Sequence, residues 1–183
     1  AVGNRSENNA RYGLHFMFSD SCRYERNAFV RNGAGVAVMY SKGITMRGNL
    51  FAEARGSAAY ALLLKEITDG ELVGNRFEES STGLYLEGAS RLEVRDNDFR
   101  ANGWAVRLMA DALDNRFVGN RFIANAFDVT TNSRTVRSTF AGNWWDSYRG
   151  YDLDRDGRGD VPFHPVRFFA LVVEKHPEAL VLL

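Results

Sequence analysis

The stretch LHFMF, residues 14 to 18, places an imidazole and a thioether on alternate residues, His15 and Met17. Another thioether, that of Met39, follows Met17 by 22 residues. Imidazole and thioether groups suit Cu(I), because soft ligands select a soft cation. A structural interpretation is also open, with His15 as a surface imidazole and the two methionines packed beneath a loop. The fold decides between the two, since a metal site needs all three side chains on one surface.

A run of aspartates in the segment YDLDRDGRGD, residues 151 to 160, forms a second group of candidate ligands. The spacing D-x-D-x-D-G-x-x-D resembles the first part of an EF-hand loop, but Phe163 stands where the bidentate glutamate belongs. Carboxylates this close repel one another unless a cation or arginines neutralise them, so a calcium site and an arginine-neutralised turn are both open. The carboxylates are those of Asp152, Asp154, Asp156 and Asp160, and the local arginines are Arg149, Arg155 and Arg158.

These candidate ligands are set within an internal repeat. An asparagine is followed two residues later by an aromatic residue at six places, with spacings of 22, 26, 22, 23 and 23 residues. Asn4 lies 23 residues before the first of them, so we expect the chain to begin partway through a repeat of a longer array. Each repeat also carries apolar segments of period two, separated by Gly, Asn and Ser, which is typical of strands. The six pairs are Asn27–Phe29, Asn49–Phe51, Asn75–Phe77, Asn97–Phe99, Asn120–Phe122 and Asn143–Trp145.

Short strands at this period predict an all-β fold, a parallel β-helix with one coil of about 22–23 residues per repeat. Coils stack at ~4.8 Å, so equivalent positions form ladders. We expect the asparagines to hydrogen-bond up and down the stack and the phenylalanines to fill the core beside them. A leucine-rich repeat has a similar period, but its Leu-x-x-Leu-x-Leu signature is not found. The extra residues of the 26-residue repeat, around AEARGSAAY, are expected to form a loop.

The register of the repeats sorts the methionines, because alternate strand residues point to opposite faces. Met46 falls in an inward column and is expected in the core. Met17 and Met39 fall in one outward column on adjacent coils, and His15 falls in the neighbouring outward column. The sequence therefore predicts that the three candidate copper ligands share an outer face.

The composition argues against several classes of protein. The chain has 183 residues, of which 45% are hydrophobic, and its 23 basic and 23 acidic side chains give a formal net charge of +0. That balance argues against a nucleic-acid partner, which needs a basic excess. The single cysteine, Cys22, excludes an internal disulfide framework, and its place in the repeat predicts a buried, inert thiol. No apolar run reaches ~18 residues, and no signal peptide opens the chain.

The same outer face carries Lys65, Tyr85, Glu87 and Arg107. Parallel β-helices often cleave or epimerise acidic polysaccharides on such a face, with clustered carboxylates or calcium and a basic residue. One glutamate and two basic residues match that requirement poorly, and a solvated face with cross-strand ion pairs is the interpretation we favour. A polysaccharide lyase, an epimerase or a carbohydrate-binding module remains the alternative function.

The chain divides at the end of the repeats into coils (residues 1–148) and a C-terminal part (residues 149–183). This second part holds the Asp-rich loop and an apolar segment that predicts a helix from about Arg167 to His176.

A β-helix needs a cap over its last coil, and Phe168, Leu171 and Val172 are candidates for it. Docking onto a partner subunit is the alternative use of this apolar segment. The residues expected to make that contact are Phe168, Leu180, Leu182 and Leu183.

The coils, followed by GNWWDSYRGYDLDRDGRGDVPF at residues 142 to 163 and a Pro-Val…Val-Glu-Lys-His-Pro tail, resemble the NosD family. These are periplasmic copper-handling proteins that mature nitrous oxide reductase. The terminal segment is the specific part, because coils alone also fit other carbohydrate-associated β-helices. The resemblance covers the whole chain, as the C-terminal part of such a protein.

The resemblance implies a right-handed parallel β-helix in the periplasm, associated with an ABC transporter. It also implies a copper chaperone that hands over Cu(I), with the copper–sulfur cluster of nitrous oxide reductase as the product and no catalysis by this chain. In that setting His15, Met17 and Met39 would form a transfer site, whose open coordination position a ligand of the chaperone can fill.

Overall fold

The computed structural model describes residues 1–109, 111–133, 137–176 and 178–179. These residues form eighteen β-strands and one α-helix. In chain order the elements are β1 (Arg5–Glu7), β2 (Tyr12–Met17), β3 (Arg23–Glu25), β4 (Ala28–Val30), β5 (Ala34–Lys42), β6 (Thr45–Arg47), β7 (Leu50–Ala52), β8 (Tyr60–Val73), β9 (Arg76–Glu78), β10 (Thr82–Glu87), β11 (Ser90–Arg95), β12 (Asp98–Arg100), β13 (Trp104–Leu108), β14 (Arg116–Val118), β15 (Arg121–Ile123), β16 (Phe127–Thr130), β17 (Thr139–Ala141), β18 (Trp144–Trp145) and α1 (Phe168–Lys175).

The strands stack in parallel, each against its counterparts in the coils before and after it. Three faces result, and each coil contributes to every one of them. The first face holds β2, β5, the first half of β8, β10, β13 and β16. The second holds β3, β6, the second half of β8, β11, β14 and β17, and the third holds β1, β4, β7, β9, β12, β15 and β18. The prediction of a parallel β-helix is confirmed.

The asparagine ladder is continuous from Asn4 to Asn143. In each rung the backbone N–H and the side-chain Nδ2 both donate to Oδ1 of the asparagine one coil later, at 2.8–3.1 Å. From Asn27 onward, Nδ2 also donates to a backbone carbonyl of the preceding coil. Because their amides are paired in this way, the central asparagines can be fully buried at little cost.

The residue before each ladder asparagine has a left-handed backbone, which turns the chain from the second face to the third. Glycine occupies five of the seven positions, as at Gly74 with φ +62° and Gly119 with φ +65°, because it adopts this conformation without steric cost. Arg26 and Asp96 occupy the other two, with φ 52° and 57°. The Gly-Asn pair in VGNRF is thus a turn followed by a ladder rung.

The aromatic ladder beside the asparagines forms the centre of the core. Successive rings from Phe29 to Phe122 are stacked with centroids 4.7–5.5 Å apart, and Phe51, Phe77, Phe99 and Phe122 are fully buried. Met46 is buried in the inward column, as predicted.

Cys22 is less buried than the sequence predicted. Its thiol is only half-buried, because β3 pairs with β6 on one side, while on the other side only the bridge from Val2 to Glu25 covers it. Ile44 in the next coil, which has neighbours on both sides, is fully buried.

A second polar ladder, five residues after the first, did not emerge from the sequence. Asn9 donates to Asn32, Ser80 to Asn102, and Asn102 to Asn125, at 2.8–3.1 Å. Ala54 interrupts it, and the four extra residues of the long repeat lie between Ala54 and Tyr60, outside the strands. The predicted loop between coils is therefore present.

Aromatic residues close the end of the solenoid. Trp145 stacks on Phe122 with centroids 4.1 Å apart, and Phe163 lies against Trp145 at 4.9 Å. Tyr148 packs edge-on against Phe163, and its hydroxyl donates to the Val161 carbonyl at 3.0 Å. Phe163 thus covers the last ring of the core instead of completing an EF-hand.

The predicted helix is present, bounded by Arg167 and His176, but it packs differently from the expectation. It packs against β16, the last strand of the first face, where Ala170 and Val173 contact Phe127. Phe168 is 81% exposed, so its assignment to the cap is wrong. The helix turns Phe169 inward instead, toward Phe127.

Leu171 and Val172 are half-buried. Leu180, Leu182 and Leu183 lie outside the described residues. The division at residue 148 stays a prediction.

Candidate functional site

The outer surfaces of the three faces differ in chemistry. The second and third faces carry rows of arginine–carboxylate pairs whose arginines are mostly at least half exposed, and such surface pairs contribute only about 0–1 kcal/mol each. The first face carries the Lys65–Glu87 ion pair, and its other outward side chains include Tyr, His, Met and Trp together with Arg107. Pairs on the other two faces include Arg47–Glu71, Arg91–Asp69, Arg116–Glu93, Arg5–Glu7 and Arg76–Glu78. The first face is therefore the candidate functional surface.

Met17 and Met39 are direct partners on the adjacent strands β2 and β5. Parallel strands lie about 4.8 Å apart, so both thioethers can reach one ion. Both residues are half-buried, and His15, two residues before Met17, is exposed. Its strand partner Ala37 is fully buried, so neighbouring side chains close over it. The predicted register places the three candidate ligands on one surface patch.

Aromatic side chains border this patch on two sides. The ring of Tyr12 stacks on the His15 imidazole with centroids 4.8 Å apart, and the Arg11 guanidinium lies 5.4 Å from the centre of the Tyr12 ring. On the other side Phe18 and Tyr40 stack on each other at 5.2 Å. The imidazole is thus held by stacking, with its ring atoms accessible from solvent.

The Lys65–Glu87 ion pair of the first face lies next to the methionines. Lys65 pairs with Met39 across β5 and β8, and its Nζ donates to Glu87 Oε1 at 2.6 Å. This hydrogen bond raises the pKa of Lys65, and the charge of Glu87 adds to the effect. A lysine that serves as a general base needs a lowered pKa. The geometry therefore disfavours Lys65 as the base of a polysaccharide lyase or epimerase.

Arg107 lies between two aromatic rings of the first face. The Arg107 guanidinium lies 5.4 Å from the ring centres of Tyr85, on the neighbouring strand β10, and of Trp104, on its own strand β13. Stacking of this kind holds a cation in place. The sequence-predicted cross-strand ion pair between Lys65 and Glu87 is present, as the solvated-face interpretation requires.

The Asp-rich loop brings three of its four carboxylates together. Ligand oxygens of Asp152, Asp154 and Asp156 lie within 4.8 Å of one another, all exposed. Asp160 turns away, and its Oδ2 accepts the backbone N–H of Leu153 at 2.7 Å. The backbone N–H groups of Asp156 and Gly157 donate to Asp152 at 3.1 Å. The loop is thus held in a tight turn with its oxygens grouped on one side.

Arginine does not neutralise these carboxylates in the part of the chain that the structure describes. Arg149 donates to the backbone carbonyls of Asp146 and Tyr148, at 2.9 and 3.0 Å. Neither Arg155 nor Arg158 forms an ion pair with a described residue of the loop. The arginine-neutralised turn is therefore not what the geometry favours.

Tyr148 fixes the position of the Asp-rich loop. Gly150 and Gly159 pass so close to its ring that a Cβ at either position would overlap the ring or the hydroxyl. Sequence reasoning missed this contact. Its only signal was the glycine on each side of the aspartate run.

Asp128 is a buried carboxylate that the sequence did not single out. It lies on β16, 6% exposed, and accepts long hydrogen bonds of 3.4 Å from Asn125 Nδ2 and Ser147 Oγ. Burial raises its pKa, and the carboxylate of Asp146 raises it further, while Arg167 at the start of α1 opposes the shift. The carboxyl therefore joins β16 to Ser147 beyond β18 and lies within the field of the Arg167 charge.

The coil geometry defines the chain as a parallel β-helix protein. The A-module of mannuronan C-5 epimerase AlgE4 from Azotobacter vinelandii has a similar structure, with a TM-score of 0.58 and 17% sequence identity. The likeness covers 79% of this chain and 52% of that one, and at this identity it shows the fold alone.

Residues 1–150 match the family described as periplasmic copper-binding protein (NosD), and the chain belongs to that family. The sequence-based recognition is confirmed.

Two curated relatives carry the name probable ABC transporter binding protein NosD. The protein from Pseudomonas aeruginosa is 31% identical over 160 residues, which cover 78% of this chain and 37% of that protein. The protein from Stutzerimonas stutzeri is 29% identical over 147 residues, covering 70% and 33%. The chain thus spans about a third of the length of these relatives. In its described part, no helix is long and apolar enough to cross a membrane.

Proposed function

We propose that this chain belongs to a periplasmic accessory protein that binds Cu(I) transiently and passes it toward the copper centre of nitrous oxide reductase. The observation that carries the proposal is the strand pairing of Met17 with Met39 beside His15, on the one face without rows of ion pairs. The family description as copper-binding and periplasmic supports it.

In this proposal copper is the ion that the protein carries. A site with three protein ligands suits transfer of the ion to a partner better than long-term storage. A nitrogen of His15 and the sulfurs of Met17 and Met39 would bind the ion weakly and leave a coordination position open. A ligand from a copper chaperone can fill that position before release. The half-exposed site keeps the ion accessible from solvent during the exchange.

An anaerobic Cu(I) titration against a chromophoric chelator tests the site. We expect the Met17→Ala/Met39→Ala variant to lose at least about tenfold in affinity, because two of three ligands are removed. Met46→Leu is the matched control, since Met46 is buried in the core and Leu conserves its volume. Unchanged affinity in the double variant would remove the site from consideration.

We propose that an ABC transporter is the membrane partner, as the names of the relatives suggest for those proteins. Phe168 supports docking through the C-terminal segment, because it is 81% exposed on the outer side of α1. Phe168→Ser should weaken co-purification with the transporter. Ala170→Gly serves as a folding control, because Ala170 is on the buried side of α1. Full association of the Phe168→Ser protein would refute docking here.

We propose no catalytic role for this chain. The raised pKa of Lys65 and the single neighbouring carboxylate, Glu87, support an accessory function. Incubation with alginate, polygalacturonate and other acidic glycans should give neither turnover nor binding. Turnover that is lost in Lys65→Ala would establish the enzyme alternative.

We propose a structural calcium ion for the Asp-rich loop, bound by Asp152, Asp154 and Asp156. Hard carboxylate oxygens suit Ca²⁺, and the grouping of three of them favours a cation. The fourth predicted ligand, Asp160, is turned to the backbone of Leu153 and would have to move to join them.

A further inference from the structure

The asparagine ladder ends at Asn143 with two donors unpaired. In every earlier rung the backbone N–H and Nδ2 both donate to Oδ1 of the asparagine one coil later. Asn143 has no such acceptor among the residues that the structure describes, and its Nδ2 donates to the Phe117 carbonyl at 2.9 Å. Because that bond to the preceding coil is the same as in the other rungs, the backbone N–H and the second Nδ2 hydrogen of Asn143 point to the position of the next amide oxygen.

A backbone carbonyl completes the arrangement at each rung. The carbonyl three residues before a ladder asparagine accepts a hydrogen bond from Nδ2 of the next ladder asparagine, at 2.8–3.2 Å. Phe140 holds this position in the last coil, on β17, which is the last strand of the second face. Its carbonyl points to the next coil position, as the Phe117 carbonyl points to Asn143. Two donors of Asn143 and the carbonyl of Phe140 therefore form a terminal set of three groups.

The protein itself shows which side chain such a set binds, because every equivalent set in the ladder holds the carboxamide of an asparagine. A carboxylate accepts hydrogen bonds but cannot donate to the carbonyl, and lysine and arginine donate but cannot accept. A hydroxyl fits less well, since Ser138 takes the place of an asparagine above Asn115 and accepts at 3.3 and 3.5 Å. The six carboxamides held in this way are those of Asn27, Asn49, Asn75, Asn97, Asn120 and Asn143.

The terminal set opens into a cavity between the last coil and the Asp-rich loop. The cavity has a volume of about 780 Å³, and Asn143 and Phe140 both line it. The chain already covers two of the three faces at this end, since Phe163 lies on Trp145 and Val166 forms a bridge to β16. The second face, at Phe140, is the one whose edge strand is still open to the cavity. An edge strand of this kind presents its outward backbone groups to a further strand.

We propose that the terminal set binds an asparagine side chain on an extended segment of another protein, which adds one strand beside β17. The asparagine Oδ1 accepts from both donors of Asn143, and its Nδ2 donates to the Phe140 carbonyl. An apolar residue three positions earlier in the segment stacks on Phe140, as Phe140 stacks on Phe117 with centroids 4.6 Å apart. In strand addition the main-chain hydrogen bonds give affinity and the side-chain contacts give specificity. The segment thus repeats the contacts of one further coil.

A peptide that copies one rung tests the proposal on the intact protein. The peptide RFVGNR, with the sequence of residues 116–121, has a phenylalanine three positions before its asparagine and ends before the aromatic position that Phe163 takes. In NMR spectra of isotope-labelled protein, we expect saturable shifts of the backbone and side-chain amide signals of Asn143, and none at Asn4. Asn120→Asp in the peptide should weaken binding at least about tenfold, because a carboxylate cannot donate to the Phe140 carbonyl.

Asn143→Asp tests the same contact from the side of the protein. An aspartate can still accept both hydrogen bonds from Asn120, so the ladder keeps its last rung. It lacks the Nδ2 donor and brings a negative charge to the terminal set, so peptide binding should fall at least about tenfold. Asn4→Asp, the same substitution at the other end of the ladder, is the matched control and should leave peptide binding unchanged.

Equal binding of the asparagine and aspartate peptides would overturn the proposal, as would shifts at Asn143 that do not saturate with millimolar peptide. Acetamide that binds as tightly as the peptide would show a site for small amides and overturn the addition of a strand. A wild-type dimer in sedimentation that Asn143→Asp dissociates would assign the terminal set to contact between two copies of this chain and overturn it as well.

Discussion

Asn97 and Asn120 lie one coil apart and are joined by two hydrogen bonds: the backbone N–H and Nδ2 of Asn97 both donate to Oδ1 of Asn120, at 3.0 and 2.9 Å. Asn97 Nδ2 also donates to the Leu72 carbonyl, and its own Oδ1 accepts two hydrogen bonds from Asn75. Each rung therefore links three successive coils.

Replacing Asn97 by Ala should destabilise the fold strongly. The change removes four buried hydrogen bonds and leaves the amide of Asn75 without its acceptor, so we expect a loss of about 3–4 kcal/mol in the free energy of unfolding, measured with denaturant. Asn4→Ala, at an exposed rung, should cost less than about 1 kcal/mol. Equal losses in the two variants would mean that burial does not matter to the ladder.

Gly159→Ala should disturb the end of the solenoid, because the new Cβ overlaps the ring of Tyr148. We expect a fall in the melting temperature, since Tyr148 must leave its contact with Phe163. Tyr148→Ala removes the obstacle, so adding Gly159→Ala to that variant should cost much less than it does in the wild type. Additive effects in this double-mutant cycle would show that the two residues are not in contact.

Asp128 should make stability depend on pH in a predictable direction. Its pKa is raised in the folded state by burial, so ionisation opposes folding. The stability that the protonated carboxyl contributes is complete below the unfolded pKa of about 3.9 and is lost as pH rises through the higher folded pKa.

Compared with Asp128→Asn, the wild type should therefore lose unfolding free energy as the pH is raised from about 3.5 to 7, and the difference between the two proteins isolates this one group. A pH-independent difference would contradict the assignment. Asp160→Asn, in the exposed loop, provides the control for general charge effects.

Calcium should protect the Asp-rich loop from trypsin. The loop contains Arg155 and Arg158, both exposed, and an ion bound to the neighbouring aspartates would restrain the backbone there. We expect millimolar Ca²⁺ to slow cleavage at these arginines in the wild type, and to have no effect in Asp154→Asn. Cleavage at the same rate with calcium and with chelator would show that the loop does not bind Ca²⁺.

The repeat allowed the sequence to predict which residues lie side by side. In a stacked coil, neighbours in space are one period apart in sequence, so Met17 with Met39 and Phe99 with Phe122 follow from spacing alone. The inward position of Met46 follows in the same way.

The sequence could not predict contacts made by the residues after the last coil, or contacts at places where the repeat is interrupted. Asp128 meets Ser147, which follows the last strand, and the position of the Asp-rich loop depends on Tyr148 fitting between two glycines. The helix itself was predicted, but periodicity could not say which side faces the coils, and Phe168 was wrongly placed inside. The second ladder was hidden because Ala54 and the four-residue insertion interrupt its pattern.

The identical contacts of every rung have an evolutionary consequence. Because Asn75, Asn97 and Asn120 each meet the same groups above and below, a whole coil can be duplicated or deleted without redesigning any neighbour. When a coil is inserted, all outward residues after it move along the solenoid by one coil and keep their relative positions. A patch such as Met17 and Met39 can then be displaced along the protein as a block, or copied, while the scaffold stays the same.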